Sequence, residues 1–213
     1  QSNVDATKTL IDVAKDLGAY FLYLSTDFVF DGKTGPYQES DLAMPISHYG
    51  KTKLASEELL HKSGLKYAIV RTVLVYGVAH DPSRSNLVLW VKNSLEEGKS
   101  IKVVNDQWRT PTLVEDLANG CLLVAKGRHE GIFHISGEGM MSPHEMALKV
   151  ADHFDLDKSL ISPVDANTFT QSGKRPPKTG FIIEKAKSQL GFQPTSFDDG
   201  LKIVAKQLAS QSK

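Results

Sequence analysis

Tyr49 and Lys53 lie four residues apart in a stretch whose pattern predicts a helix from about Ser47 to His61. Their side chains therefore share one helix face, a turn apart. That spacing has a chemical use. A phenol titrates near ~10, and a neighbouring ammonium favours its phenolate form. A tyrosine tuned in this way can exchange a proton with a carbonyl or hydroxyl oxygen near neutral pH. Thr26 follows the apolar run Tyr20-Phe-Leu-Tyr-Leu24, which reads as a buried strand. Ligands of open α/β sheets sit beyond the carboxyl ends of strands, where a threonine hydroxyl can bond the same oxygen that Tyr49 protonates. Tyr-x-x-x-Lys also occurs by chance as a packed ring beside a solvated amine, so the pair alone leaves both readings open.

The elements that must position these groups follow from periodicity. Val4, Leu10, Ile11, Val13, Ala14 and Leu17 form one face of an opening helix, closed by Gly18. Further strands are expected at Lys66 to Arg71, Val73 to Tyr76, Ile101 to Val104, Gly131 to Ile135 and Phe181 to Ile183. A polar loop from His80 to Ser85 should lead into a helix from about Asn86 to Glu97, with Trp90 in the core. Thr112-x-x-Glu115 and Ser142-x-x-Glu145 read as capping boxes opening two more helices, the second with Pro143 at its first position. The last helices are expected near Lys185 to Leu190 and Asp198 to Leu208. Strands alternating with helices imply βαβ units and a mainly parallel sheet. The regularity loosens near Gly137, so a wound-sheet domain over 1–138 and a small α+β lobe over 139–213 are expected, with an interleaved boundary.

Composition excludes several classes. The 213 residues are 40% hydrophobic and 23% charged, the proportions of a folded globular chain. Lys+Arg 25 balances Asp+Glu 25, so no net field favours nucleic acid or an anionic membrane. No apolar run is long enough to span a bilayer as a helix. The single Cys121 has no internal disulfide partner, which points to a reducing compartment. The seven histidines show no metal-ligand spacing, and no metal is expected. His48 reads as a loop residue beside Tyr49. Trp108 suits ligand stacking and packing equally.

The motifs together extend the reading. Ser25-Thr-Asp-Phe-Val-Phe-Asp-Gly32, Tyr49-Gly-Lys-Thr-Lys53 and Arg71-Thr-Val-Leu-Val-Tyr-Gly77 are followed in order by Asp106-Gln107, Pro111-Thr112, Asp116-Leu-Ala118, Gly131-Ile-Phe-His134, Lys174-Arg-Pro176 and Leu190-Gly191. In this order the chain resembles the extended short-chain dehydrogenase/reductases, specifically the dTDP-4-dehydrorhamnose reductase-like branch. The resemblance implies a Rossmann-like doubly wound parallel sheet and an NADP- or NAD-dependent reduction of a keto group on a nucleotide-linked sugar. Tyr49 would then protonate the substrate carbonyl oxygen, Thr26 would orient it, and Lys53 would lower the Tyr49 pKa and hold the nicotinamide ribose. Cofactor contacts would come from Ser25, Thr26, Tyr49, Lys53, Arg71, Thr72 and Val73. Substrate contacts would come from Asp27, Phe28, Gln107, Trp108, Arg109 and Arg175. A cytoplasmic location and a homodimer are also implied.

The pattern is departed from in places. No Gly-x-Gly-x-x-Gly phosphate turn is present, so the sequence reads as the C-terminal part of a longer protein, N-terminally incomplete as a Rossmann sheet. Gly137-Glu-Gly139 reads as a βα turn rather than a phosphate cradle. Phe28 stands where 4,6-dehydratases carry the Glu of Thr-Asp-Glu, which argues against elimination chemistry. Arg109 and Thr110 replace residues that are small in rhamnose-type reductases, and Lys178 and Ile182 replace Asn and Asp. A nucleotide-sugar epimerase would use the same Tyr49 and Lys53. The rival from another class is a regulatory subunit, because the β subunit of methionine adenosyltransferase resembles this same family and works through partner contact.

Overall fold

The computed structural model describes residues 2–78, 85–168 and 174–211, and of the loop expected at 80–85 residues 80–84 lie outside them. Helix α1 (Ser2–Asp16) leads into strand β1 (Phe21–Thr26), a 3-10 turn at Asp27–Val29 and helix α2 (His48–His61). Strands β2 (Tyr67–Thr72) and β3 (Val75–Tyr76) precede helix α3 (Leu87–Glu96), strands β4 (Ile101–Val104) and β5 (Thr112–Leu113) and helix α4 (Val114–Lys126). Strand β6 (Gly131–His134), helix α5 (Pro143–His153), strand β7 (Ile161–Val164) and helices α6 (Glu184–Leu190) and α7 (Phe197–Gln211) complete the order.

Strands β1, β2 and β6 form one sheet in the order β1-β2-β6, with both pairings parallel. Parallel neighbours need crossover connections, and α2 supplies the one between β1 and β2. Central β2 shows why its sequence is so apolar: Ala68, Ile69 and Val70 are fully buried because both faces of the strand are covered. Ile69 meets Ile11 of α1 and Leu60 of α2 on one face. Ala68 and Val70 pack with Val124 of α4 and Ala186 of α6 on the other. The sheet is thus wound on both sides, an α/β architecture as the alternation implies.

A second core lies under α3, α5 and α7, where Val88, Val91, Val150, Leu201 and Val204 close over the parallel pair β4·β7. It draws β3, α3, β4 and β5 from before residue 139 and α5, β7 and α7 from after it. Three sequence expectations are corrected here. Thr112 does not cap a helix: it sits in β5 beside Val75, and its hydroxyl donates to the Val73 carbonyl at 2.7 Å, leaving α4 without a side-chain cap. The segment 181–183 makes only an isolated bridge, Phe181 to Tyr37. Strand β7, unanticipated, carries Pro163. The Ser142 capping box forms as expected, its hydroxyl accepting from Glu145 N at 3.1 Å.

Strand β6 ends the sheet, and side chains cap two of its outward backbone groups. Glu39 Oε1 accepts from His134 N at 2.9 Å, and Lys185 Nζ donates to the Ile132 carbonyl at 2.7 Å.

Candidate active site

Helix α2 starts where the chain leaves an extended Ser47, whose hydroxyl accepts from Gly50 N at 3.0 Å. This cap puts His48 and Tyr49 in the first turn, so His48 belongs to the helix and not to a loop. Gly50 lets the turn come close: a Cβ there would sit 2.0 Å from the Phe28 carbonyl oxygen. A Gly50→Ala substitution is therefore expected to cost about 1–3 kcal/mol through overpacking against rigid backbone and to push the first turn off Thr26. Chemical denaturation checks this, and an unchanged midpoint would contradict the close approach.

From that start, one stripe of α2 meets four successive residues of β1. Tyr49 lies beside Thr26, whose hydroxyl acts on its phenol while donating to Asp27 Oδ1 and accepting from Phe28 N, each at 3.2 Å. Lys53 Nζ donates to the Leu24 carbonyl at 2.6 Å and lies 4.0 Å over the Tyr23 ring. Glu57 accepts from the Ser25 hydroxyl at 2.5 Å. Tyr49 is 49% exposed, so its phenol is open to a ligand at the carboxyl end of β1.

Burial pushes the Tyr49 phenol above its ordinary value; the Thr26 hydroxyl pulls it down, and Asp27 and Tyr23 add to the rise. The lowering expected from Lys53 is not what the folded chain displays. The ammonium instead contacts Leu24 and Tyr23, with one of its three donors on the Leu24 carbonyl.

Arg71, expected among the cofactor contacts, turns its side chain inward. Its guanidinium is buried in a bidentate pair with Glu57, Nε to Oε1 at 3.1 Å and Nη2 to Oε2 at 2.6 Å. It lies 5.1 Å from the Phe30 ring and does not reach outward. Ser25 is buried and committed to Glu57, and Val73 is fully buried. Among the expected cofactor contacts, the side chains of Thr26, Tyr49, Lys53 and Thr72 remain at the strand ends. The Thr72 hydroxyl reaches Thr112 Oγ1 at 3.3 Å. Glu57 is the residue that sequence reasoning missed. Its signal was present: it continues the stripe of Tyr49 and Lys53 by one more turn, and a buried arginine in β2 demands a counter-charge.

The expected substrate residues fall into two groups. Around Tyr49, the Phe28 ring meets the Tyr49 ring edge-on at 5.9 Å. Asp27 is buried, accepts from the Thr179 hydroxyl and lies 3.5 Å from Arg109 Nε. Burial raises the Asp27 carboxyl, against the pull of Arg109, Thr179 and Thr26. Arg109 is itself 5% exposed, so Asp27 and Arg109 are internal partners here and not open ligand contacts.

The second group lines a cavity of about 510 Å³ between Leu74, Asn86, Leu87, Trp90, Lys102, Val103, Val104, Gln107, Pro143 and Arg175. Apolar walls with a few polar groups at this size suit a small organic ligand. Trp90, expected in the core, is instead 40% exposed on this wall. Leu74 enters the cavity from a backbone φ of 35°, a conformation that costs a non-glycine residue about 1–2 kcal/mol. Trp108 does not line this cavity; its side chain is exposed and it bridges to Lys178. Among the described residues, no group of three or more His, Cys, Asp or Glu could hold a metal ion. None of their helices is long and apolar enough to cross a membrane.

Comparison with known proteins bears on this arrangement. Residues 1–210 match the model of the RmlD substrate binding domain. The chain is 34% identical over 208 residues to methionine adenosyltransferase 2 subunit beta from Bos taurus, covering 95% of this chain and 62% of that protein. It spans, then, less than two thirds of that relative's length. Among solved structures, it is similar to a dTDP-4-dehydrorhamnose reductase ortholog from Clostridium acetobutylicum, at 32% identity and a TM-score of 0.87 over 95% of this chain and 71% of that one. The dTDP-4-dehydrorhamnose reductase from Bacillus anthracis, solved in complex with NADP, matches at 29% identity and a TM-score of 0.87, over 94% of this chain and 70% of that one.

Proposed function

The chain belongs to the RmlD substrate binding domain family of the extended short-chain dehydrogenase/reductases, with their Rossmann-like α/β fold, and from that premise we propose that it carries the reaction centre of an NAD(P)-dependent reductase acting on a keto group of a nucleotide-linked sugar. The observation that carries this reading is the half-exposed Tyr49 phenol beside the Thr26 hydroxyl at the carboxyl end of β1, with Lys53 one turn below.

The residues present fit a nicotinamide nucleotide at its ribose end, because a phenol, an ammonium and a hydroxyl converge on the strand terminus where such ligands bind. When bound, that cofactor supplies the hydride. Thr26 holds the substrate carbonyl by donating to its oxygen. Tyr49 donates its proton to that oxygen as negative charge develops on it. Lys53 offers its ammonium to the ribose hydroxyls and to the phenolate left behind. Its bond to Leu24 occupies one of its three donors. Lys102, Gln107 and Arg175 at the cavity suit the phosphate and polar groups of the nucleotide part, and Trp90 offers an aromatic face to its base.

The test uses the full-length native protein with NADH and with NADPH against a keto-deoxysugar nucleotide, followed by nicotinamide absorbance. Turnover with either cofactor is expected. Tight binding of neither cofactor would overturn the reading.

A second reading is favoured by the 34% identity to methionine adenosyltransferase 2 subunit beta: the same fold serves as a regulatory subunit. In that case the full-length protein would co-elute with a methionine adenosyltransferase catalytic chain and turn over no keto sugar.

A further inference from the structure

We infer that Arg109 is a positioning residue: it latches the segment 174–180 to the catalytic end of β1 and so sets where Arg175 stands over the cavity. This rests on the reading of that cavity as the nucleotide side of the reductase.

The geometry is specific. Arg109 Nη1 donates to the Trp108 carbonyl at 2.7 Å and to the Pro177 carbonyl at 3.2 Å, and Nη2 donates to the Pro176 carbonyl at 2.7 Å. Its Nε faces Asp27 Oδ2 at 3.5 Å. One planar guanidinium thus spans two consecutive carbonyls of the segment and the carboxylate that follows Thr26 in sequence. Only a five-donor fork reaches all of them at once.

Neighbouring bonds share the task. Trp108 N donates to Pro177 O at 2.7 Å, Thr179 N to Trp108 O at 3.1 Å and Lys178 N to Gly32 O at 3.2 Å. The Thr179 hydroxyl closes the circle on Asp27. Gly32 is pressed against the segment as well: a Cβ there would fall 2.7 Å from Pro177 N, and its φ of 80° favours glycine. Arg109 N and O also pair with Met141, so the latch is anchored to the chain entering α5.

Arg109 itself has no open surface, whereas Arg175, one residue before the first latched carbonyl, is exposed and lines the cavity. Arg109 therefore acts on a ligand through Arg175. The latch joins the two ends of one substrate, the keto carbon at Thr26 and the diphosphate at Arg175.

A double-mutant cycle on the full-length protein tests this, with UDP and dTDP as probes read by calorimetry and NADPH affinity read in parallel. Arg109→Lys and Arg175→Ala are each expected to weaken the better-bound nucleotide about tenfold. The double variant should lose no more than Arg175→Ala alone, because both act on the same contact. NADPH affinity should be unchanged, and the KM for a sugar nucleotide should rise more than kcat falls. Thr179→Val cuts the second tie to Asp27 and replaces Arg109→Lys in the cycle where the lysine variant does not fold.

Additive losses would overturn the latch, since Arg109 would then act independently of Arg175. An unchanged nucleotide affinity in Arg109→Lys, or in its Thr179→Val stand-in, would overturn it too. If the unaltered protein binds NADPH but neither nucleotide, the latch falls while the oxidoreductase reading stands. If it binds nucleotide but not NADPH, an intact cycle upholds the latch and the reductase reading falls.

Discussion

Replacing Tyr49 by Phe is expected to slow hydride transfer by about 10²–10⁴-fold, the usual worth of one well-placed proton donor. The change removes a hydroxyl and little else. The ring keeps its edge contact with Phe28, and as a half-exposed side chain it leaves no buried cavity. Unfolding temperature and NADPH affinity should therefore match those of the unaltered protein, so a rate loss reads as chemistry. The pH profile adds a second check. Reduction needs the protonated phenol, and burial raises its pKa in the free chain. The acid form then persists through neutral pH, and the rate should fall only on the far alkaline side, near or above the ordinary phenol value of ~10. That limb should vanish in the variant. Full turnover by Tyr49→Phe would remove Tyr49 from the mechanism.

The largest effect on stability is expected from Glu57→Ala. Its carboxylate is 1% exposed and its partner Arg71 is 4% exposed, so neither can turn to water. Truncating Glu57 leaves a buried guanidinium unpaired and costs about 3–5 kcal/mol. The Arg71 Nη1 atom already lacks a hydrogen-bond partner, so no spare acceptor stands ready to compensate. The double replacement Glu57→Leu with Arg71→Leu should recover most of the loss, since an apolar pair of similar volume avoids burying charge. Urea unfolding of the three variants measures this. A single variant as stable as the parent would mean that Arg71 finds water, and the pair would then count for little.

These two residues also mark how far the sequence could be read. The helix stripe that carries Tyr49 and Lys53 was legible because helical spacing alone puts them on one face. Buried β2 was legible from its unbroken apolar run, whereas β1, read from its run as buried, is only partly covered, with Leu24 exposed. The parallel pairing was legible from the helices between strands. The pairing of Glu57 with Arg71 was not, because it joins two elements through a crossover that no local period records. Thr112 misled for a related reason. Its local pattern is that of a helix cap, but the pairing of β5 with β3 draws its hydroxyl to Val73 instead. Strand β7 was hidden by Pro163, which breaks a strand pattern yet is tolerated in a strand with a single neighbour. Arg109 showed itself only as a departure from small residues. Its bonds to Pro176 and Pro177 span nearly seventy residues of chain, a distance over which spacing carries no signal.

The capped flank of β6 has a consequence for what this protein can recruit. A bare strand margin invites an extended peptide to add itself as one more strand. Here the amide of His134 and the carbonyl of Ile132, two of the groups such a peptide would read, are already taken by Glu39 and Lys185. An incoming chain would have to displace a carboxylate and an ammonium and leave both seeking new partners. Association by strand addition is therefore disfavoured on this side, and a partner docking there gains more from gripping side chains than backbone.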